Sequence, residues 1–205
     1  MIIRSINKIK DNVHMLLDND QKIILRYEVF LKNGFRKGDE ISENDIADVI
    51  RQNQLFYIKE SAYRILGRRL HSYKELERKL ASRKYDKALI KQVLDDLLSN
   101  LYLDDERFAR EYSEEKLKKK MLGLSRIKLE LREKGVSQDI IERILSENSA
   151  SDETENALKL AEKKLSSLKG RNLDKMKLNQ RLYSFLASKG FNYDLIKTVL
   201  DRLDI

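Results

Sequence analysis

Apolar residues recur in one arrangement in three segments of the chain, at residues 80–94, 131–145 and 186–200. Within each of these fifteen-residue windows, apolar side chains occupy positions 0, 5, 9, 10, 13 and 14. Spacings of three and four residues are typical of the buried face of a helix. The shared windows, offset from one another by 51 and 55 residues, predict an internal repeat built from helices.

A helix stop and a helix start lie inside each window. Gly135 and Gly190 each follow a lysine, and a glycine at this position ends a helix in the left-handed conformation. Ser137 and Asn192 are then predicted to cap the next helix. Lys84 stands where the first window would have its glycine, so we expect that turn to be built differently.

Further helical stripes precede each window. In the first copy, Ser72 and Glu75 have the spacing of a capping box that opens a helix through Leu76. In the second copy, the adjacent carboxylates Asp104 and Asp105 suit the N-terminus of a helix. Each unit is therefore predicted to contain three helices.

Three further residues complete the second unit. Phe108 and Tyr112 lie four residues apart and are predicted to pack in the core, and Gly123 is predicted to end their helix. The predicted repeats span residues 57–103, 104–150 and 151–205. No single unit covers its apolar stripes alone, so the units should stack on one another.

Residues 1–56 follow a different pattern. Several isoleucines precede a turn at 18–20, and a short apolar run at 22–25 is predicted to return as a strand. The fold class predicted for the whole chain is therefore mainly α, with three tandem three-helix repeats and a small β-containing element at the N-terminus.

The composition narrows the chemistry. The chain of 205 residues has no cysteine, no proline and only two histidines, which excludes disulfides, cysteine-bound zinc and thiolate nucleophiles. Asp104 and Asp105 have the chemistry of a metal or acid–base pair, but adjacent carboxylates at a helix start more often act as caps. We therefore expect no catalytic residues, no metal site, no cofactor and no enzymatic activity. No apolar run is long enough for a membrane span and no secretory signal is present, which predicts a cytoplasmic protein.

The net charge of +8 is concentrated in one stretch. Residues 59–93 carry 11 basic and 4 acidic side chains. Such a positive field attracts polyanions, although a solvated helix face is the alternative interpretation. Arg64 and Arg68, four residues apart, are predicted to share a helix face. The residues predicted to bind a partner or nucleic acid are Arg64, Arg68, Arg69, Lys74, Arg78, Lys79 and Arg83, with Lys118 and Lys119 in a second basic run.

The central part of the chain resembles the RecX regulatory proteins, which modulate the RecA recombinase. The resemblance rests on the string from Arg69 through Ser72, Glu75 and Leu76, and on the Leu-Asp-Asp-x-x-Phe-Ala-x-x-Tyr string at 103–112. Gly123 and the Lys-Gly pair ending at Gly135 follow. It covers about residues 57–205, and it makes these motif residues structural positions of the family: Ser72, Glu75, Leu76, Asp104, Asp105, Phe108, Tyr112, Gly123 and Gly135.

The resemblance implies a function as well as a fold. It implies an elongated, curved monomer that binds the filament of RecA on single-stranded DNA and hinders recombinase, ATPase and coprotease activity in recombination, DNA repair and the SOS response. Double-stranded DNA is a further candidate partner. Two alternatives stay open: a generic helical nucleic-acid-binding module, and an α-solenoid adaptor for an acidic protein.

Overall fold

The structure is a computed structural model that describes residues 1–147, 150–168 and 174–204. It opens with a three-stranded antiparallel sheet in the order β1-β2-β3, formed by Ile3–Ile9, Asn12–Leu17 and Lys22–Arg26. Val13 pairs with Leu25 and Met15 with Ile23, so alternate residues point into one core. The prediction of a β-containing element is confirmed, and its strands end at Arg26.

Ten helices follow the sheet in the described part of the chain. They are α1 Tyr27–Asn33, α2 Glu43–Leu66, α3 Tyr73–Ala81, α4 Lys87–Ser99, α5 Asp105–Lys120, α6 Leu124–Glu133, α7 Gln138–Ser146, α8 Ala150–Leu168, α9 Lys175–Ser188 and α10 Tyr193–Arg202. The mainly α fold is therefore confirmed.

Helix α2 connects the sheet to the first repeat. Its start is fixed by a capping box, in which Ser42 and Asp45 bond reciprocally to each other's backbone N–H. In its middle, the buried Asn53 accepts a bond from Arg26 N at 2.8 Å and donates to Ile24 O at 3.2 Å. The helix thus supplies hydrogen bonds to the outer strand β3. It also continues without a break across the predicted boundary between the N-terminal element, residues 1–56, and the first repeat.

The repeat windows pack as their pattern predicts. All six apolar positions of each window are buried or half-buried, and none is exposed. The third window shows the arrangement: Leu186, Phe191 and Val199 join α9 to α10, and Ala157 and Ala161 of α8 complete the same cluster. Each window therefore joins the second helix of a repeat to its third, through a turn whose apolar side chain at position 5 is buried or half-buried.

The turn in the first window corrects one expectation in part. Lys84 has φ 62°, in the left-handed region where Gly135 and Gly190 also lie. Its N–H donates to Ala81 O at 3.0 Å, as Gly135 donates to Arg132 O at 2.8 Å and Gly190 to Ala187 O at 3.0 Å. Lys84 therefore keeps the left-handed conformation at the position of the glycines. The turn still differs in one bond, because Val136 N and Phe191 N donate to Leu131 O and Leu186 O, whereas Tyr85 N makes no such bond to Leu80 O.

Two further local expectations need correction. Ser137 is the N-cap residue of α7, but its side chain makes no capping hydrogen bond. Gly123 does not end α5 by a left-handed turn, since Met121 takes that conformation at φ 49° and Gly123 has φ −72°. Asn192 does cap α10, by accepting from Leu195 N at 2.8 Å.

Contacts divide the described chain into two compact units. The first contains Met1–Leu70 and Leu76–Tyr102, and the second contains His71–Glu75 with the described part of Leu103–Ile205. Helix α3 is shared, because its first three residues belong to the second unit and the rest to the first.

Candidate binding surface

The first basic residues lie at the end of α2. Arg64 is exposed in the last turn of the helix and pairs with Glu60 at 3.3 Å. Arg68 does not share its helix face, contrary to the prediction, because α2 ends at Leu66 and Arg68 lies with Arg69 in the exposed loop beyond it. An exposed pair such as Arg64–Glu60 contributes only about 0.3–0.5 kcal/mol, so its guanidinium remains available to an anionic partner.

A second group of cations lies on and after α3. Arg78 and Lys79 are exposed on the polar side of α3, the helix that buries Leu76 and Leu80, as the apolar spacing predicts. Arg83 follows the helix, and its guanidinium donates back to the hydroxyl of the buried Ser61 in α2. Arg83 thus joins two helices of the first unit, a structural role that sequence reasoning missed.

The remaining predicted cations belong to the second unit. Lys118 and Lys119 are exposed in the last turn of α5, where Lys118 pairs with Glu114 at 3.1 Å. Lys74 is exposed at the start of α3, and the aliphatic part of its side chain lies against the turn at Gly135. All nine predicted cations are therefore at the surface, seven of them between residues 64 and 83. An array of this kind suits phosphates and acidic protein surfaces alike.

The family-motif residues form a packed junction, called here the first junction. The buried Ser72 accepts a bond from Glu75 N at 3.1 Å and donates to Lys134 O at 2.6 Å. Lys134 Nζ bonds to the Glu75 carboxylate at 2.7 Å. A Cβ on Gly135 would lie 2.4 Å from Lys74 Cβ, so only glycine fits. Residues 71–75 are thereby held against the turn between α6 and α7.

The two adjacent carboxylates cap different helices. Asp104 caps its own helix α5 by accepting from Arg107 N at 2.9 Å. Asp105 accepts from Tyr73 N at 2.7 Å and so caps α3, a helix 32 residues earlier in the chain. Burial raises the pKa of the Asp105 carboxyl, against the lowering effect of the bond from Tyr73 N. The pair is structural, and no local pattern in the sequence indicates that Asp105 caps a second helix.

A second junction repeats this arrangement one repeat later. Gly123 N donates to Lys189 O at 3.0 Å, and Leu124 N donates to the Glu153 carboxylate at 2.8 Å. A Cβ on Gly123 would lie 2.3 Å from Gly190 O, which explains the glycine. Burial raises the pKa of Glu153, as it does for Asp105. Gly123 is therefore needed for close packing of two backbones.

Tyr112 is only half-buried, with its ring stacked on the buried Phe108 at 5.6 Å between centroids. Its hydroxyl donates to Glu130 at 2.6 Å. Burial and this bond raise the pKa of the Tyr112 hydroxyl. Burial opposes ionisation of Glu130, but bonds from Tyr112, Arg126 and Lys116 together lower its pKa. The expected core position is thus an aromatic ring with a satisfied polar end.

Within residues 1–147, 150–168 and 174–204, no group of three or more acidic or histidine side chains has the arrangement of a metal site. In the same part of the chain, no helix combines the length and the apolar character of a membrane span. The features that remain are exposed cations and a repeated helical packing. These define a class of protein, a tandem three-helix-repeat protein with exposed cations.

Comparison with known proteins gives the family. Residues 59–97, 104–145 and 151–200 match the first, second and third three-helix domains of RecX. Regulatory protein RecX of Clostridium botulinum strain Eklund 17B is 34% identical over 93% of this chain and 89% of its own. Regulatory protein RecX of Clostridium perfringens strain SM101 is 34% identical over 98% of this chain and 92% of its own. The chain belongs to the RecX family of regulatory proteins.

A solved structure supports the fold independently. A crystal structure of regulatory protein RecX superimposes with a TM-score of 0.77 and covers 98% of both chains at 22% identity. The coverage includes the N-terminal sheet as well as the repeats. The sheet and the three repeats therefore form one known architecture.

Proposed function

We propose that this chain regulates RecA by binding the filament that RecA forms on single-stranded DNA, and that its binding inhibits strand exchange, ATP hydrolysis and coprotease activity. RecX regulatory proteins act on RecA, and recombination and DNA repair fit that role. We propose further that the protein acts as a cytoplasmic monomer without catalytic activity of its own. The basic surface supports binding to a nucleoprotein polyanion.

One observation carries the proposal: the exposed cations are concentrated in the first repeat. Residues 59–93 hold 11 basic side chains against 4 acidic ones. The predicted binding residues among them are all solvent-exposed, and Arg83 also donates to the buried hydroxyl of Ser61. Phosphates attract such an array at a distance and release counterions on contact. A ligand that fits one filament state and blocks another shifts the balance between them.

The test is a titration of the pure protein into RecA on single-stranded DNA, with ATP hydrolysis as the readout. We expect inhibition at micromolar protein. The triple variant Arg64→Glu, Arg68→Glu, Arg69→Glu should need about tenfold more protein for half inhibition, because three contacts to anions become repulsive. Its matched control is Lys22→Glu, Arg36→Glu, Lys37→Glu, which reverses three exposed cations of the N-terminal region.

The outcomes separate the candidate functions. Inhibition that falls in the first variant and persists in the control supports filament binding through the basic surface. Equal inhibition by both variants contradicts that assignment. Tight binding to DNA that RecA does not strengthen indicates a generic nucleic-acid-binding module. An absence of any effect on RecA or DNA indicates an adaptor for an acidic protein.

A further inference from the structure

The solvent face of the second repeat is a polar cluster. Lys128 Nζ donates to the Glu142 carboxylate at 3.4 Å, and the side-chain amide of Gln138 donates to the same carboxylate. Arg132 in turn donates to Gln138 at 2.9 Å. Charges and amides that satisfy one another in this way are the ordinary covering of a hydrated helix pair.

The third repeat places two tyrosines at the same positions. At the offset of 55 residues that relates the second and third windows, Tyr183 replaces Lys128 and Tyr193 replaces Gln138. The two rings meet edge to face, with centroids 6.1 Å apart at 63°. Tyr183 and Tyr193 remain 36% and 62% exposed, although other positions of the same two helices, such as Leu182 and Ile196, are buried in the core of the third repeat. Lys197 stands where the second repeat has Glu142.

An additional helical turn enlarges this aromatic surface. Helix α9 begins at Lys175, whereas the position equivalent to the first residue of α6 is Asn179. The extra turn brings in Met176, which is 78% exposed. An open pocket of about 630 Å³ is lined by Lys175, Met176, Asn179, Gln180 and Tyr183. The apolar floor is thus bordered by lysine and amide side chains.

The local charge favours an anionic ligand. Residues 174–204 carry six basic and four acidic side chains. Lys175 approaches Asp204 at 3.7 Å and Lys177 pairs with Asp174 at 3.1 Å, and both pairs are exposed. Exposed pairs of this kind are weak, so the lysines remain able to contact phosphates. Asp194, beside Tyr193, leaves the surface mixed rather than uniformly basic.

We propose that Tyr183 and Tyr193 form a stacking platform for bases of single-stranded DNA, with Lys175 and Lys197 contacting the flanking phosphates. Two rings with Met176 match one or two bases in size, whereas a specific protein interface needs about 800 Å² on each partner. Duplex DNA does not fit the platform, because its bases already stack on one another. The inference rests on the proposed function and deepens it, by naming a DNA contact in the third repeat.

The second repeat supplies the test variant. Tyr183→Lys with Tyr193→Gln gives the third repeat the side chains that the second repeat carries on the same backbone, so the fold should persist. We expect the pair to bind a labelled oligothymidylate of about 20 nucleotides roughly tenfold more weakly by fluorescence anisotropy. The substitution adds a positive charge, so electrostatics alone would strengthen binding. Tyr183→Phe with Tyr193→Phe keeps the rings and should bind within about twofold of the wild type.

A second probe isolates the bases. An abasic oligonucleotide of the same length should bind the wild type as weakly as the thymidylate binds the variant with Tyr183→Lys and Tyr193→Gln. Equal binding of both probes by the wild type would overturn the proposal, as would unchanged thymidylate binding by the variant. A variant that loses RecA inhibition while keeping thymidylate binding also overturns it and indicates a protein contact. RecA inhibition by the wild type, measured in parallel, decides the proposed function separately.

Discussion

The two junctions of the second unit use the same hydrogen bonds with different residues. At the first, the Ser72 hydroxyl donates to the carbonyl of Lys134 and Asp105 accepts from the start of α3. At the second, the backbone N–H of Gly123 donates to the carbonyl of Lys189 and Glu153 accepts from the start of α6. The comparison teaches that the repeat preserves the positions of donors and acceptors, while the group that donates at the junction is a hydroxyl in one case and a backbone N–H in the other.

The difference also has a steric cause. At the second junction the backbones approach until a Cβ on Gly123 would lie 2.3 Å from Gly190 O. At the first, Ser72 carries a side chain in place of that contact, whereas the approach of Gly135 to Lys74 Cβ is shared, since Gly190 approaches Arg126 Cβ in the same way. A serine hydroxyl extends the reach of the donor, so the backbone can remain farther from the carbonyl. One junction is therefore bridged by a side chain and the other by direct backbone contact.

The largest predicted effect is that of Gly123→Ala. Its Cβ would meet backbone atoms of the turn at Gly190, which cannot move as a flexible side chain could, so we expect a loss of about 3 kcal/mol in the free energy of unfolding. Urea denaturation followed by circular dichroism measures it. Gly34→Ala is the control, since no atom lies within 4 Å of its Cβ position and the cost should be only about 1 kcal/mol for φ 68°. Equal losses would contradict the packing argument.

Ser72→Ala should have the next largest effect. It removes the hydroxyl that bonds both Glu75 N and Lys134 O in a buried position. We expect a loss of about 1–2 kcal/mol, from a lost cap and an unpaired carbonyl. Ser137→Ala is a matched control, because that serine occupies an N-cap without a side-chain capping bond. A loss at Ser137 as large as at Ser72 would show that the junction adds nothing to ordinary capping.

Lys84→Gly should stabilise the protein by up to about 1 kcal/mol, because glycine relieves the left-handed backbone that lysine disfavours. The measurement is the urea midpoint of the variant against the wild type. The change makes the first window resemble the second and third in sequence as well as in geometry. A destabilised variant would mean that the stem of Lys84 contributes packing that outweighs the backbone cost.

The smallest effect is expected for Asp105→Asn, and it depends on pH. Because burial raises the pKa of Asp105, its contribution to stability is present at low pH and is lost as the pH rises from about 4 through the folded-state value. Asparagine still accepts from Tyr73 N without a buried charge. We therefore expect stability within about 0.5 kcal/mol of the wild type at pH 4, with a relative gain at pH 7.

The same urea titrations on Asp105→Ala provide the comparison. That variant removes the acceptor together with the charge, so it should lose about 1 kcal/mol at pH 4 and less at pH 7, where the wild type bears the cost of a buried charge. If the asparagine and alanine variants are equally stable at pH 7, the hydrogen bond from Tyr73 N adds no measurable stability.

Much of this structure follows from local patterns in the sequence, whereas few of its long-range contacts could be predicted from them. The window positions, the three-helix unit and the caps at Ser72 and Asn192 follow from side-chain periodicity and chemistry within a few residues. The second role of Asp105 depends on a residue 32 positions away, which no local signal encodes.

The binding residues divide in the same way. Surface exposure of the cations followed from their place beside the apolar stripes, as at Arg78 and Lys79. The bond of Arg83 to Ser61 depends on how two helices pack, so the pattern could not reveal it. The tyrosine pair of the third repeat emerges only when one repeat is laid over another, since exposed aromatic residues look like core residues in a linear pattern.

Helix α9 begins differently from the second helices of the first two repeats. In the first two repeats, the second helix starts with an N–H that a carboxylate of the following repeat receives, at Tyr73 and Leu124. In the third, Asp174 of the same segment caps the helix, by accepting from Lys177 N at 2.7 Å. The equivalent position, Asn179, lies one turn inside α9. A further repeat that contacted α9 as the second and third repeats contact α3 and α6 would first have to unwind that turn.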